Sequence, residues 1–542
     1  MELFKHQADA VKRYYDSNEI ALFFEAGCGK TATAIQIAVD KYKRGLIDVV
    51  LVIAPNGIDK QWAREEIPKW CSVPYYVWND KKSKRPIPFM EGKLNFICTN
   101  IDQFSTETSF QKYVTYCKWH DTMIVLDEAT VIKNVKAKRT QRLLYEFNDV
   151  VRRGKSIVDS KPWTVARAIL TGTPVTNGAF DVWAMFEFLH PGYFGVNWYA
   201  FQNKYGMFQS INVQGRTIRV LITEQIWNAV KNCNDYNFAA IEWGISLSTY
   251  EYIRHQDKYE GPFRNIEQLR QRMCDIATFV RLVDVTDMPQ QTFIRRMVDM
   301  GPEQARIYYD MEKYFISQYK DKEVSATTKL TSYIRLQQIA SGFIVTQERV
   351  IDEDAPLWAA INEDDPPENV VTWIDDAGKI QRLKQDIAEI DGPIVIVTHF
   401  SAEAARIYDE LTKDGYSCGL MTGWKTIGGD DAFKSGKVRI MIANVRVIRM
   451  GFNWQHCTHM LFYSNTFSLE DREQVTRRIW RIGQQNPCIY TDYITTDTID
   501  MKVFAALKQK KSLSTYIVTK SVEQMLTEQD EVFKEEFSDI VF

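Results

Sequence analysis

Three short segments of this chain carry residue types that could do chemistry together: FFEAGCGKT at 23–31, IVLDEAT at 124–130 and QVTRRIWRIGQ at 474–484. In the last, a helix would set Arg478 and Arg481 one turn apart and facing the same way, so that both reach one group of phosphate oxygens. Taken alone, three arginines on a helix more often form a solvated face or a general nucleic-acid patch, as most basic runs do. In the first segment a β-rich run passes through Gly27 and Gly29 into TATAIQIAVDKY, a helix opening whose backbone amides and dipole can wrap phosphates. Lys30 would then meet the β- and γ-phosphates and the Thr31 hydroxyl would ligate Mg²⁺. The spacing is the short GxGK[ST] form, because Phe24 stands where GxxxxGK[ST] wants its first glycine. In the middle segment an apolar strand ends on two carboxylates: Asp127 to hold Mg²⁺, Glu128 to orient and deprotonate an attacking water. A nucleotide held by the first two segments and met by the arginines of the third requires two facing lobes.

Those segments need elements to hold them. Short β-rich runs alternate with helical stretches in the first third, with strands expected at 20–24, 49–54, 95–99, 122–126 and 168–171. The pattern returns at 394–398, 418–422, 438–443, 460–464 and 489–494. Alternation of this kind argues for an α/β fold of helix-covered parallel sheets, with ligands at the carboxyl ends of the strands. Between the two sets, residues 197–376 read as mostly helical, with INEDDPPEN at 361–369 as a loop or linker. The stretch after Lys511 reads as one or two amphipathic helices.

Length and composition set bounds. A chain of 542 residues favours two to four units over a single core. Net charge of −3 supplies no overall positive field, so any nucleic-acid surface must be a local groove. The nine cysteines are scattered with no CxxC pair, which fits a reducing cytosol. The N-terminus MELFKHQADAVKRYY lacks an apolar signal core, and no apolar run reaches membrane-spanning length. These features give a cytoplasmic protein with no membrane partner, and the short flanks around the segments above suit a bacterium or a virus-infected host cell.

The ordered series FFEAGCGKT, APNGIDKQW, CTNIDQF, LDEATVIKN, ILTGTPVTNGAFDVWAMFEFLHPGYFG, VTHFS, NVRVIRMGFNW and QVTRRIWRIGQ resembles the Swi/Snf-type branch of superfamily-two helicases. RLVDVTDMP and QQIASGF resemble that branch's linker segments. The resemblance implies two RecA-like parallel-sheet lobes with helical insertions between them, laid out as lobe 1 at 1–196, a helical insertion and linker region at 197–376, lobe 2 at 377–515 and a helical tail at 516–542. It implies ATP and Mg²⁺ as cofactors, and arginine-finger roles for Arg478 and Arg481. Gln7 takes the place of the glutamine that reads adenine, while Gly451 and Gln474 match nucleotide-site positions of the second lobe. Pro55, Thr99 and Asn100 match first-lobe DNA-backbone positions, and Thr398, Phe400 and Ser401 their second-lobe counterparts. Thr171, Gly172 and Thr173 match the segment that links hydrolysis to lobe movement. Departures are Thr130 in place of the usual His, Ile448 and Arg449 in place of glycines, and Phe467-Ser468 in place of Trp-Asn.

The activity implied is an ATP-dependent motor that tracks on duplex DNA as a monomer. It would remodel branched DNA by branch migration or fork regression, or displace DNA-bound proteins, with replication or recombination proteins as partners. Two other readings stand beside it: an ATPase acting on a nucleoprotein machine such as RNA polymerase, and a non-hydrolysing DNA-binding scaffold. Helical spacing makes most of Trp424, Trp454, Trp480 and the 183–188 cluster core packing rather than a strand-separating wedge. Residues 202–261 could bind DNA, bind a partner or brace the lobes.

Overall fold

The run VVLVIA forms the strand Val49–Ala54, buried at all six positions, as a strand covered by helices on both faces must be. It sits inside a seven-stranded sheet, with Thr122–Asp127 on one side and Leu94–Asn100 on the other. From edge to edge the order is Ala277–Val280, Glu19–Phe24, Ala166–Leu170, Thr122–Asp127, Val49–Ala54, Leu94–Asn100 and Tyr75–Trp78, with every pairing parallel. A second seven-stranded sheet runs Gln291–Val298, Cys488–Thr495, His459–Phe462, Ile394–Thr398, Ile440–Asn444, Cys418–Met421 and Thr426–Ile427. It is parallel except for the last pair. The fold is α/β with two parallel-sheet lobes. All ten strands expected from the sequence are present.

This computed structural model describes residues 2–518 apart from 82–84, 154–155, 196, 214–215, 260, 315, 320–321, 326–328, 349–367 and 450. Most of the expected 361–369 linker and the expected tail from 519 onward lie outside the described residues. The chain divides into two compact units, Met1–Val285 with Lys510–Phe542, and Thr286–Gln509.

Residues 197–376, expected as one helical region, are divided between these units. Ala277–Val280 pairs with Glu19–Phe24 as the edge of the first sheet, and Gln291–Val298 pairs with Cys488–Thr495 as the edge of the second. Both are half-exposed edge strands, so neither has the continuous apolar run that marked the interior strands. Within the first unit, the hairpin Phe208–Val213 and Arg216–Leu221 and the helices Glu224–Lys231, Tyr236–Trp243 and Leu247–His255 gather a satellite core of Met207, Ile222, Trp227, Val230 and Ile253.

Three further details bear on function. The helix Leu469–Thr476 stops two residues before Arg478, so the expected helix over 474–484 is instead a helix end followed by turns. All nine cysteines are free. Among the described residues no helix is long and apolar enough to cross a membrane.

Candidate active site

The order of the first sheet puts the carboxyl ends of Glu19–Phe24, Ala166–Leu170 and Thr122–Asp127 side by side, with Leu170 in register with both Leu22 and Asp127. Three of the predicted segments therefore leave the sheet together. From the first strand the chain turns through Gly27 and Gly29, at φ +93° and +79°, into the helix Lys30–Lys43. The left-handed values favour glycine, and at Gly29 a Cβ would come within 1.9 Å of the Gln7 amide nitrogen. Gly29 is the residue before the first helical turn, so the unpaired amides of that turn open toward the loop.

Lys30 Nζ donates to the Phe24 carbonyl at 3.0 Å. Gly172 lies against the same carbonyl, where a Cβ would be only 3.3 Å from the oxygen. The hydroxyl of Thr171 accepts from the Thr173 amide at 3.2 Å, folding the TGT segment back on itself. Lys30, Gly172 and the end of the first strand thus meet around one carbonyl oxygen.

Asp127 is buried beside them. Burial pushes its carboxyl above the ordinary carboxylate range, while the Trp62 indole, the Lys30 charge and the Glu128 amide pull in the other direction. Trp62 Nε1 donates to Oδ2 at 2.8 Å, and the Glu128 amide donates to Oδ1 at 2.9 Å. Glu128 itself has φ +48°, a value uncommon for a residue with a side chain, and begins the short turn Ala129–Ile132. Trp62 is a site residue that spacing did not assign. It appeared in the sequence only as the last letter of APNGIDKQW, and no local signal told that the indole would reach Asp127 across 65 positions.

Gln7 is buried, with its carboxamide accepting from the Phe4 amide at 3.0 Å and donating to the Cys28 carbonyl at 3.2 Å. It therefore steadies the glycine loop from outside. Lys133 in VIKN donates to the Thr176 hydroxyl at 2.9 Å, and Thr176 donates to Asp181, which joins the acidic-pair segment to TGTPVTN.

The predicted DNA-contact residues divide by exposure. Thr99 is fully buried and bonds the Tyr113 hydroxyl at 2.8 Å, and Thr398 is fully buried as well. A hydroxyl enclosed within its own lobe meets no phosphate, so the structure does not bring these two to a surface. Asn100 is nearly buried and donates to Asn56 at 3.3 Å, while Pro55 and Ser401 are half-exposed. The Phe400 amide is capped by Glu403 at 3.0 Å, at the start of the helix Ser401–Lys413.

In the second unit the absence of a helix around Arg478 does not separate the two arginines. Arg478 Nη2 donates to the Arg449 carbonyl at 2.6 Å and Arg481 Nη1 to the Phe452 carbonyl at 3.4 Å, so both lean on the segment that carries Gly451, at φ +119°. Burial holds the Arg481 guanidinium below its ordinary pKa. Gln474 lies half-buried on the preceding helix. Gln484 fastens the end of the segment, its amide nitrogen within 3.1 Å of the carbonyls of Gln455, Cys457 and Ile479. The unusual residues have local partners: Arg449 pairs with Asp471 at 2.9 Å, Ile448 is fully buried, and Ser468 caps its helix at the Asp471 amide. Arg477, the third arginine of the segment, is half-buried.

Glycine loop, buried carboxylate, TGT turn and paired arginines define a class, the nucleotide-hydrolysing motors built on two parallel-sheet lobes. Residues 6–342 match the SNF2-related domain and residues 378–483 the helicase conserved C-terminal domain; the chain belongs to the SNF2-related family. It is a DNA-dependent ATPase of helicase superfamily two. It is 21% identical to YqhH of Bacillus subtilis, described as an uncharacterized ATP-dependent helicase, over 99% of this chain and 83% of that one. It is 22% identical to putative protein p41 of Acyrthosiphon pisum secondary endosymbiont phage 1, over 90% and 91% of the two chains. A DNA repair and recombination protein RAD54-like of Drosophila ananassae is 20% identical, over 97% of this chain and 64% of its own length. Among solved structures, the Sulfolobus solfataricus SWI2/SNF2 ATPase core in complex with dsDNA is 18% identical at a TM-score of 0.37, covering 100% and 98% of the two chains.

Proposed function

We propose that this ATPase tracks along duplex DNA and remodels branched DNA or DNA-bound proteins during replication, recombination or repair. The observation that carries the reading is the meeting of Lys30, Gly172 and the buried Asp127 at adjacent strand ends of one sheet. The RAD54-like relative, described as a repair and recombination protein, supports the choice of DNA transactions. Bacterial and phage relatives support a place in the cytoplasm of a bacterial or phage-infected cell.

Each residue then has a task. The amides after Gly27 and Gly29 surround the phosphates, Lys30 moves from the Phe24 carbonyl to the β- and γ-phosphates, and Gln7 exchanges a bond within its lobe for the adenine edge. Asp127, buried at its strand end beside Lys30, and the Thr31 hydroxyl are the residues that would hold a magnesium ion, which is commonly bound by one or two protein oxygens with phosphates and water. When bound, the ion would neutralise phosphate charge. Glu128 orients the attacking water and takes its proton. Arg478 and Arg481, with Gln474 and Gly451 from the same unit, act on the γ-phosphate, where charge spreads during transfer. Thr171–Thr173 relay hydrolysis to lobe movement, and Pro55, Asn100, Phe400 and Ser401 are assigned to the DNA-contacting segments.

The test is ATP turnover measured at fixed salt with no nucleic acid, single-stranded DNA, duplex, four-way junction and RNA. Salt is fixed because backbone affinity falls steeply as it rises. Duplex or junction DNA should stimulate most, and Lys30→Ala or Asp127→Ala should lower turnover by roughly 10² to 10³. Equal stimulation by RNA and duplex, or undiminished turnover in both variants, would overturn the proposal.

A further inference from the structure

Three of the tryptophans with core spacing are in the core: Trp454 is fully buried, Trp183 is 3% exposed and Trp480 is 7% exposed. Trp424 is 67% exposed. A lone exposed indole is ordinary on a protein surface, but this one has a specific setting. It lies in a turn closed three times over: the Thr422 amide donates to the Lys425 carbonyl at 2.8 Å, the Thr422 hydroxyl donates to the same carbonyl at 3.1 Å, and the Lys425 amide donates to that hydroxyl at 3.0 Å. The base of the indole is thus fixed, and little further ordering is needed for its face to bind a flat partner.

The position of the turn supplies the partner's chemistry. Cys418–Met421 pairs in parallel with Ile440–Asn444, Met421 opposite Ala443. Trp424 and Arg446 therefore each leave the carboxyl edge of the second sheet three residues beyond a matched pair, and Lys425 and Arg446 are both exposed. The following helix, Gly429–Lys434, carries Asp430, which is occupied by Lys434 at 2.5 Å and by the Trp454 indole at 2.7 Å, and the exposed Asp431. Carboxyl edges of parallel sheets are where such folds bind ligands. This one offers an exposed aromatic face and, from the same two neighbouring strand ends, two exposed cations.

We infer that Trp424 stacks on an unpaired nucleobase, with Lys425 and Arg446 on the adjoining phosphates, and so directs the motor to gaps, forks and other sites where bases leave the duplex. The inference rests on the duplex-tracking reading above and adds to it a preference among DNA structures. Bases inside an intact duplex have no free face, whereas every unpaired base has one, so stacking discriminates structure without reading sequence.

The experiment uses the full chain as wild type, Trp424→Ala and Trp424→Phe, with a blunt duplex and the same duplex carrying a short single-stranded gap with 2-aminopurine in it. Apparent DNA affinity is read from ATPase stimulation at fixed salt, and stacking from quenching of the 2-aminopurine. The wild type should prefer the gapped DNA and quench its fluorophore. In Trp424→Ala the gapped-to-blunt affinity ratio should fall about tenfold and the quenching should disappear, and Trp424→Phe should keep most of both. A ratio and quenching unchanged in Trp424→Ala, with stimulation by duplex intact, overturn this inference alone. Absence of stimulation by either DNA in the wild type overturns the tracking reading and this inference together.

Discussion

The carboxyl edges of the two sheets are built by different means. At the first, backbone geometry does most of the positioning: two left-handed glycines, a helix opening, and a buried carboxylate fixed by an indole and an amide. At the second, two arginine side chains rest on carbonyls of a neighbouring segment, each through a hydrogen bond. A single such bond contributes only about 1 kcal/mol or somewhat more to a charged donor. The comparison teaches that the first edge is fixed by its backbone as a receptacle, while the second places charged side chains that, on the proposed function, are redirected to a phosphate.

The largest expected effect tests the redirected groups. Replacing Arg478 or Arg481 by Ala should lower DNA-stimulated turnover by about 10³ or more, the worth of an arginine finger, with DNA affinity nearly kept in a binding assay. A loss of DNA affinity as large as the loss in rate would return these arginines to the status of a general basic patch.

The second contrast lies in how each unit buries a cation. In the second unit Arg472 is bidentate to the buried Asp492 at 2.5 and 2.9 Å, with its guanidinium 3.3 Å from the centre of the Phe462 ring. In the first, the fully buried Arg167 bonds Thr164, Asn148 and the carbonyls of Phe147 and Phe188, and burial pushes its pKa down to about 9. Arg472→Met takes the cation from the buried Asp492, leaving the carboxylate the neutral Asn465 amide at 2.8 Å, and should cost about 3–5 kcal/mol of stability in a denaturant titration. Arg167→Met strands neutral oxygens only and should cost less, about 1–3 kcal/mol. Equal losses would remove the distinction.

A third test uses pH. In the second unit burial, helped by Arg446, lowers the His399 pKa to about 4 from an ordinary 6.5. The unfolded chain then binds more protons between these values, so the contribution is complete above pH 6.5 and is lost as pH falls toward 4. Its size is about 3 kcal/mol, and His399→Gln should flatten that limb of a stability profile. A profile unchanged by the substitution would assign the loss to other groups.

The smallest effect concerns the fixed receptacle. Trp62→Phe removes the indole donor from Asp127 and should raise its pKa further, since that bond favours the charged form. Turnover that needs the carboxylate ionised should then show its acid limb at higher pH. An unmoved limb would separate Asp127 from the acid limb.

Much of the candidate site was legible in the sequence because its parts are local. Gly27, Gly29, Lys30 and Thr31 lie within five residues, and the conformations they need follow from residue type. The ten interior strands were legible for a similar reason: strands buried on both faces must be continuous apolar runs. The half-exposed edge strands Ala277–Val280 and Gln291–Val298 lack that signal, and residues between the lobes were read as one helical region. The helix expected through Arg478 and Arg481 was a period inferred over too short a stretch. Their common orientation came instead from the segment 449–452 beneath them.

The sequence by itself determined the inventory: which residues can hold phosphate, carry a proton or offer a cation, and in what order they occur. Tertiary structure alone decided which of them share a surface. Thr99 and Thr398 were withdrawn into the lobes, Trp62 was brought to Asp127, and Trp424 was left facing water while Trp454 was buried. The physical reason is that helical or strand period describes one element, whereas burial depends on what the rest of the chain lays against it.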